Sequence, residues 1–194
     1  HSLVTADGSV WSWGSGRFGK LGHGDEQRQL LPKKIEAFTG RCVAAVSAGD
    51  FHSLALTADG AAWTCGRGEV RRLGHGDDRR PLLPQRVEGF AGWCVVAVSA
   101  GVYHSLALTA DSAVFTWGKG EDGCLGHGED LSNQLLPKKV EEWAPGRSDE
   151  KGRKGARLCV AARACSPPAN VSESGERRVW DKRVFCMVLA SCWG

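Results

Sequence analysis

The 194 residues are 42% hydrophobic and 24% charged, the balance of a globular chain and not of a disordered one. The formal net charge of +3 divides unevenly: residues 1–143 hold 15 Lys and Arg against 17 Asp and Glu, net −2, and residues 144–194 hold 10 against 5, net +5. Near-neutral repeats leave a nucleic-acid or chromatin partner unsupported, and the lack of any apolar run approaching the roughly 20 residues that span a bilayer argues against a membrane partner.

Copies of one unit organise the chain. Leu-Gly-His-Gly occurs at residues 21–24, 73–76 and 125–128, an interval of 52 each time. A fixed period of this size marks a duplicated supersecondary unit, and such units bury their apolar faces by stacking on one another. Other matches fall in step: His1-Ser2-Leu3, His52-Ser53-Leu54 and His104-Ser105-Leu106; Thr5-Ala6-Asp7, Thr57-Ala58-Asp59 and Thr109-Ala110-Asp111; Trp13-Gly14, Cys65-Gly66 and Trp117-Gly118. Leu-Leu-Pro ends at Pro32, Pro84 and Pro137. Three repeats result, 1–51, 52–103 and 104–143. His1 falls inside a repeat, so the chain is expected to be a piece of a larger array whose open ends are covered by further blades or by self-association.

Each repeat reads as four strands. Cys94 to Ser99 is a continuous apolar run of the kind buried on both faces, and His104 to Thr109 alternates, with Leu106 and Leu108 opposite Ser105 and Ala107. Asp7-Gly8 and Asp59-Gly60 suit two-residue hairpin turns, while Ser112 in the third copy predicts a strained turn. A strand ending at Trp13, Cys65 or Trp117 leads into a long glycine loop and then an outer strand whose proline suits a sheet edge. Residues 144–157 have the basic, polar composition of an insertion or linker, and 158–194 read as a degenerate fourth repeat or a tail without native structure. The expected fold is all-β, a partial β-propeller of about three four-stranded blades plus the degenerate fourth.

Gly14 to Gly19 and Gly118 to Gly123 fit the dinucleotide fingerprint G-x-G-x-x-G, but the motif recurs once per repeat and no helix follows, so turning loops are expected and no cofactor. The histidines fall in two repeat-bound sets, His1, His52 and His104, and His23, His75 and His127. Equivalent positions on successive blades diverge, so a metal site is not expected and each ring should tie down backbone. Each Ser beside a His points to the opposite face of its strand, so no nucleophile–base pair forms and no catalytic residue is assigned. Cys42 and Cys94, period mates that each open an apolar run, read as small core hydrophobes of a reducing, intracellular setting, cytoplasmic or nuclear. Trp13 and Trp117 read as packing residues.

Gly49 to Gly60 and Trp117 to Pro137 together resemble the regulator of chromosome condensation repeat, and the likeness covers about three quarters of the chain. The resemblance implies a propeller that binds protein through loops on one face. It further implies a scaffold, a substrate-recruiting domain of a HECT-type ubiquitin ligase, or a guanine nucleotide exchange factor for a Ran-like small GTPase. Partners would accordingly be a small GTPase or a ubiquitination substrate. Plant ultraviolet-B photoreceptors of the family use clustered tryptophans beside Gly-x-x-His; here Phe51 and Tyr103 precede the histidines, so that role is not expected. Each Leu-Gly-His-Gly is followed by two acids, Asp25-Glu26, Asp77-Asp78 and Glu129-Asp130. On one face of a propeller these form an acidic arc that would steer a basic partner, or be covered by the basic segment Arg147 to Arg157; solvated turn acids are the competing reading.

Overall fold

The computed structural model describes residues 1–141. The expected linker, the degenerate fourth repeat and Trp143 lie outside the described residues. Within them, eleven strands form three antiparallel sheets. The first joins β1 (Ser2–Ala6), β2 (Ser9–Gly14) and β3 (Gln29–Lys34). The second runs in the order β4 (Val43–Ala48), β5 (His52–Thr57), β6 (Ala62–Gly66), β7 (Gln85–Arg86), and the third is β8 (Val95–Ala100), β9 (His104–Thr109), β10 (Val114–Gly118), β11 (Gln134–Lys139). The fold is all-β with propeller-like blades, about three of them. No helix among the described residues is long and apolar enough to cross a membrane.

The sheets cut across the sequence repeats. A short turn, Gly49 to Phe51, folds β4 back onto β5, whereas the longer connection from Ile35 to Cys42, with a 3-10 turn at Glu36–Phe38, carries the chain out of the first sheet. The fourth strand of repeat 1–51 therefore becomes the inner strand of the next blade, and the first sheet holds three strands instead of the expected four. In β3 and β11 the register slips across Leu-Leu-Pro, so the leucines bulge from the edge. In the second blade Pro81 takes the place of Gln29 and Gln134; it accepts a bond from the Gly66 N–H but cannot return one, and β7 shrinks to two residues.

The hairpins differ too. Asp7 (φ 52°) and Gly8 (φ 76°) make a true two-residue turn, but Ala58-Asp59-Gly60 and Ala110-Asp111-Ser112 are three-residue loops with only the last residue left-handed, Gly60 at φ 82° and Ser112 at φ 68°. The serine thus holds a conformation that glycine occupies without strain.

Blades stack through two apolar clusters. Val10, Ile35, Phe38, Val43 and Ala55 fill the first seam, while Leu54, Leu56, Phe90, Phe115 and Trp117 belong to the second. All six residues of β5, covered on both faces, are buried; in β9 only Ser105, Ala107 and Thr109 are, because Leu106 and Leu108 face away from the second blade. The expectation that Cys94 to Ser99 is buried on both faces is corrected: only Val95 is buried, the rest of β8 being half-covered as the inner strand of the sheet. Leu30 and Leu31 are 79% and 76% exposed, whereas Leu82, the mate of Leu30 in the second blade, packs against Gly19 of the first.

Trp117 is 0% exposed, and its indole lies against the backbone of Gly74 in the preceding blade, 2.8 Å from where a Cβ would stand. It therefore fastens the third blade to the loop of the second. Trp117→Ala should lower unfolding free energy by about 3 to 5 kcal/mol, measured by urea titration; a loss within about 0.5 kcal/mol would show that the seam does not depend on it.

Candidate functional site: the rim loops and their seams

Three equivalent loops join β2 to β3, β6 to β7 and β10 to β11. Each begins with a 3-10 turn, at Arg17–Gly19, Glu69–Arg71 and Glu121–Gly123. A three-residue turn offers no helix terminus to a pyrophosphate. The glycine before each turn has a different task, since a Cβ on Gly16, Gly68 or Gly120 would lie 2.0, 1.7 or 2.2 Å from the carbonyl oxygen of Gln27, Arg79 or Ser132. These glycines let two arms of one loop touch.

Leu-Gly-His-Gly follows. His23, His75 and His127 meet Ser12 Oγ, Thr64 Oγ1 and Thr116 Oγ1 through Nε2 at 3.0, 2.8 and 3.1 Å, and these hydroxyls donate to the carbonyls of Leu21, Leu73 and Leu125. The preceding carbonyl is taken from the other side of the seam. Ser53 donates to Lys20 O at 2.6 Å and Ser105 to Arg72 O at 2.8 Å, while His1 and His52 of the preceding blade reach the same two hydroxyls at 2.7 and 2.8 Å. Two consecutive carbonyls of one loop are thus held by hydroxyls of two blades. Side chains reinforce the crossing: Lys20 Nζ donates to Asp50 O at 2.9 Å and Arg72 Nη1 to Val102 O at 3.4 Å. Gly24 and Gly76 donate to Leu82 O and Leu135 O of the following blade.

The protonation state follows from these bonds. Each hydroxyl spends its one proton on a carbonyl, so each His presents Nε2–H and leaves Nδ1 bare. In His52, wholly buried, Nδ1 has no partner among the described residues. Burial, with Arg72 and His104 adding to it, pushes its pKa down to about 3. Burial likewise lowers His23, His75, His104 and His127. With His1, His23, His52, His75 and His127 engaged on hydroxyls, no group of three or more His, Cys, Asp or Glu among the described residues converges as metal ligands would. The cysteine expectation needs correcting: Cys42 and Cys94 are exposed, because each precedes its strand and rests its thiol on the hairpin glycine, Gly8 or Gly60. Cys65 is the buried one, its thiol pushed up to about 12 by burial and so inert.

The acids after the loop divide into two kinds. Asp25, Asp77 and Asp130 turn inward and accept the backbone N–H two residues on, from Gln27, Arg79 and Ser132 at 3.0, 3.1 and 3.1 Å. Asp77 also pairs with Arg79 and Asp130 with Lys138; Lys138 and Ser132 hold the Asp130 carboxyl well below the usual range. Glu26, Asp78 and Glu129 are exposed and have no ion-pair partner among the described residues. Trp13 is half-buried.

Inside this ring lies a cluster that the repeat pattern does not announce. Phe18, Phe51 and Tyr103, one from each blade, form a chain of rings, with Phe18 edge-on to Phe51 at 6.1 Å and Phe51 stacked on Tyr103 at 5.9 Å. Guanidinium groups sit over them: Arg17 and Arg80 over Phe18, Arg67 over Phe18 and Phe51, Arg72 over Phe51 and Tyr103, with the Lys119 ammonium over Tyr103. Phe51 and Tyr103 are period mates, but Phe18 answers to Val70 and Asp122, so only the pair before each His was a visible signal.

Above about pH 6.5 His52 is neutral folded and unfolded; below it the unfolded chain takes up a proton that the folded chain refuses. Stability attributable to His52 should therefore fall by about 1.4 kcal/mol per unit as pH drops from 6.5 towards 3. Urea titrations across that range should show a shallower decline in His52→Phe than in the wild type; parallel declines would contradict it.

The regulator of chromosome condensation (RCC1) repeat model matches residues 7–56, 59–108 and 111–147. The chain is 43% identical over 125 residues to the human E3 ubiquitin-protein ligase HERC2, covering 64% of this chain and 3% of that protein. It is 39% identical over 131 residues to the ultraviolet-B receptor UVR8 of Arabidopsis thaliana, covering 68% of this chain and 30% of the receptor. The crystal structure of Prp20p from Saccharomyces cerevisiae superposes with a TM-score of 0.64 at 26% identity, over 71% of this chain and 35% of that one. The chain spans about a third or less of each of these three proteins. With three matched repeats that supply both the captured loops and the strands holding them, the chain belongs to the RCC1 repeat family.

Proposed function

We propose that this segment is a protein-interaction module, a scaffold or substrate-recruiting part of a larger protein such as a HECT-type ubiquitin ligase, in an intracellular setting. It works by binding and carries no active site of its own. The observation behind this reading is the contrast within the rim loops, whose backbone is held by hydroxyls, of two blades in the first and second loops and of the loop's own blade in the third, while Glu26, Asp78 and Glu129 stand exposed with no ion-pair partner among the described residues. A rigid loop presenting free charge holds a recognition surface in place at little entropic cost on binding. Likeness to HERC2, whose name is that of a ubiquitin-protein ligase, favours recruitment. Likeness to Prp20p, studied for its binding to Gsp1p and histones, favours a second reading as a nucleotide exchange factor for a Ran-like GTPase.

The six acids from Asp25 to Asp130 changed together to lysine should abolish capture of partners from lysate at low salt, since exposed charges are screened within about 8 Å at physiological ionic strength. The same full chain, added to a GTPase loaded with labelled nucleotide, should leave release unchanged. Undiminished capture by the lysine variant would overturn recruitment through these loops, and accelerated release would favour exchange.

A further inference from the structure

We infer that the aromatic–guanidinium cluster at the inner rim is a docking surface for a short acidic peptide segment of a partner, a reading that rests on the interaction-module function proposed above. The topology sets it apart from the outer acids. Turns β4–β5 and β8–β9, which carry Phe51 and Tyr103, stand beside the inner strands, while the loops bearing Glu26, Asp78 and Glu129 run out to β3, β7 and β11 at the same end of the sheets. One face is therefore basic and aromatic within, and acidic without.

The inner cluster holds more cation than its own acids neutralise. Arg17, Lys20, Arg67, Arg72, Arg80 and Lys119 stand with Asp50, Glu69, Glu121 and Asp122, six cations against four acids, and Lys119 pairs with Glu121. Arg67 and Arg80 both bond Glu69, so two guanidinium groups share one carboxylate. Arg72 is 1% exposed and yet bonds only the carbonyls of Glu69 and Val102, with no carboxylate in salt-bridge reach among the described residues. Arg17 is exposed and also lacks one. Beside these charges, Val102 and Tyr103 are 38% and 43% exposed and offer apolar surface. Carboxylates accept guanidinium donors in pairs, and exposed aromatic rings add apolar contact area beside them. Cations interleaved with rings also suit single-stranded nucleic acid, but a polyphosphate running outward would meet the unpaired outer acids. A segment whose negative charge ends within a few residues avoids them.

The test uses the full chain and a fluorescein-labelled decapeptide of alternating Asp and Glu, read by anisotropy. Binding is expected, weakening at least about tenfold in Arg17→Glu/Arg80→Glu. Tyr103→Ala should weaken it severalfold and Tyr103→Phe should restore it, because the ring and not the hydroxyl is used. Glu26→Gln/Asp78→Asn/Glu129→Gln should bind more tightly. Absence of binding to the wild type, equal binding by a lysine decapeptide, or indifference of Arg17→Glu/Arg80→Glu with an unchanged melt would overturn the inference, as would tighter binding of an oligothymidylate of the same length. Capture through the outer acids would survive every one of these failures, so the two readings fall separately.

Discussion

In the first two rim loops two adjacent backbone carbonyls are captured, one by the loop's own blade and one by the next, and the stacking of the blades rests on that capture. A loop of this length, half inside the molecule, has carbonyls that cannot all face water, and each left unpaired costs about 1 to 3 kcal/mol. Ser12 and Ser53 remove that cost at Leu21 O and Lys20 O, and Thr64 and Ser105 at Leu73 O and Arg72 O. The histidines complete each hydroxyl's bonding and fix its direction. Because Ser53 and Ser105 cross the seam, loop conformation and blade stacking are one equilibrium and not two.

Glycine and tryptophan then follow from the loop. Gly74 at φ 78° turns the chain where Trp117 presses on it, and in the first blade Gly22 does the same against Cys65 and Pro84. The large side chain at one seam and the smaller at the other show that the polar latch is kept while the apolar filling varies. The cation beside it varies as well: Lys20 and Arg72 both reach across, but their mate is Cys124, exposed and bonded only within its own loop at Lys119 O. In this arrangement hydroxyls and carbonyls hold the shape of the loop, and Glu26, Asp78 and Glu129 stay exposed at its outside.

Much of the fold was legible because duplication prints the same residues at a fixed interval, and a period near 50 with short strands leaves few architectures besides a propeller. Where a blade begins was not, since a period has no origin; only the tight Gly49 to Phe51 turn decides that β4 joins β5. Cys42 and Cys94 misled because an apolar run does not say at which residue pairing starts, and both precede the first paired valine. The histidines were expected to tie down backbone, but the engaged rings bond hydroxyls, which in turn hold the carbonyls; for His1 and His52 those hydroxyls lie a full blade away in sequence, at Ser53 and Ser105. The aromatic cluster escaped notice because Phe18 breaks the repeat, and function that differs between copies is invisible to a search for what they share.

His52 and Ser105 act as a unit across the seam between the second and third blades. A double-mutant cycle of His52→Phe and Ser105→Ala, followed by unfolding free energy at pH 7, tests it most directly. A coupling energy of about 1 to 3 kcal/mol is expected, with each single variant costing nearly as much as the pair. Additive losses, with coupling below about 0.3 kcal/mol, would contradict the account.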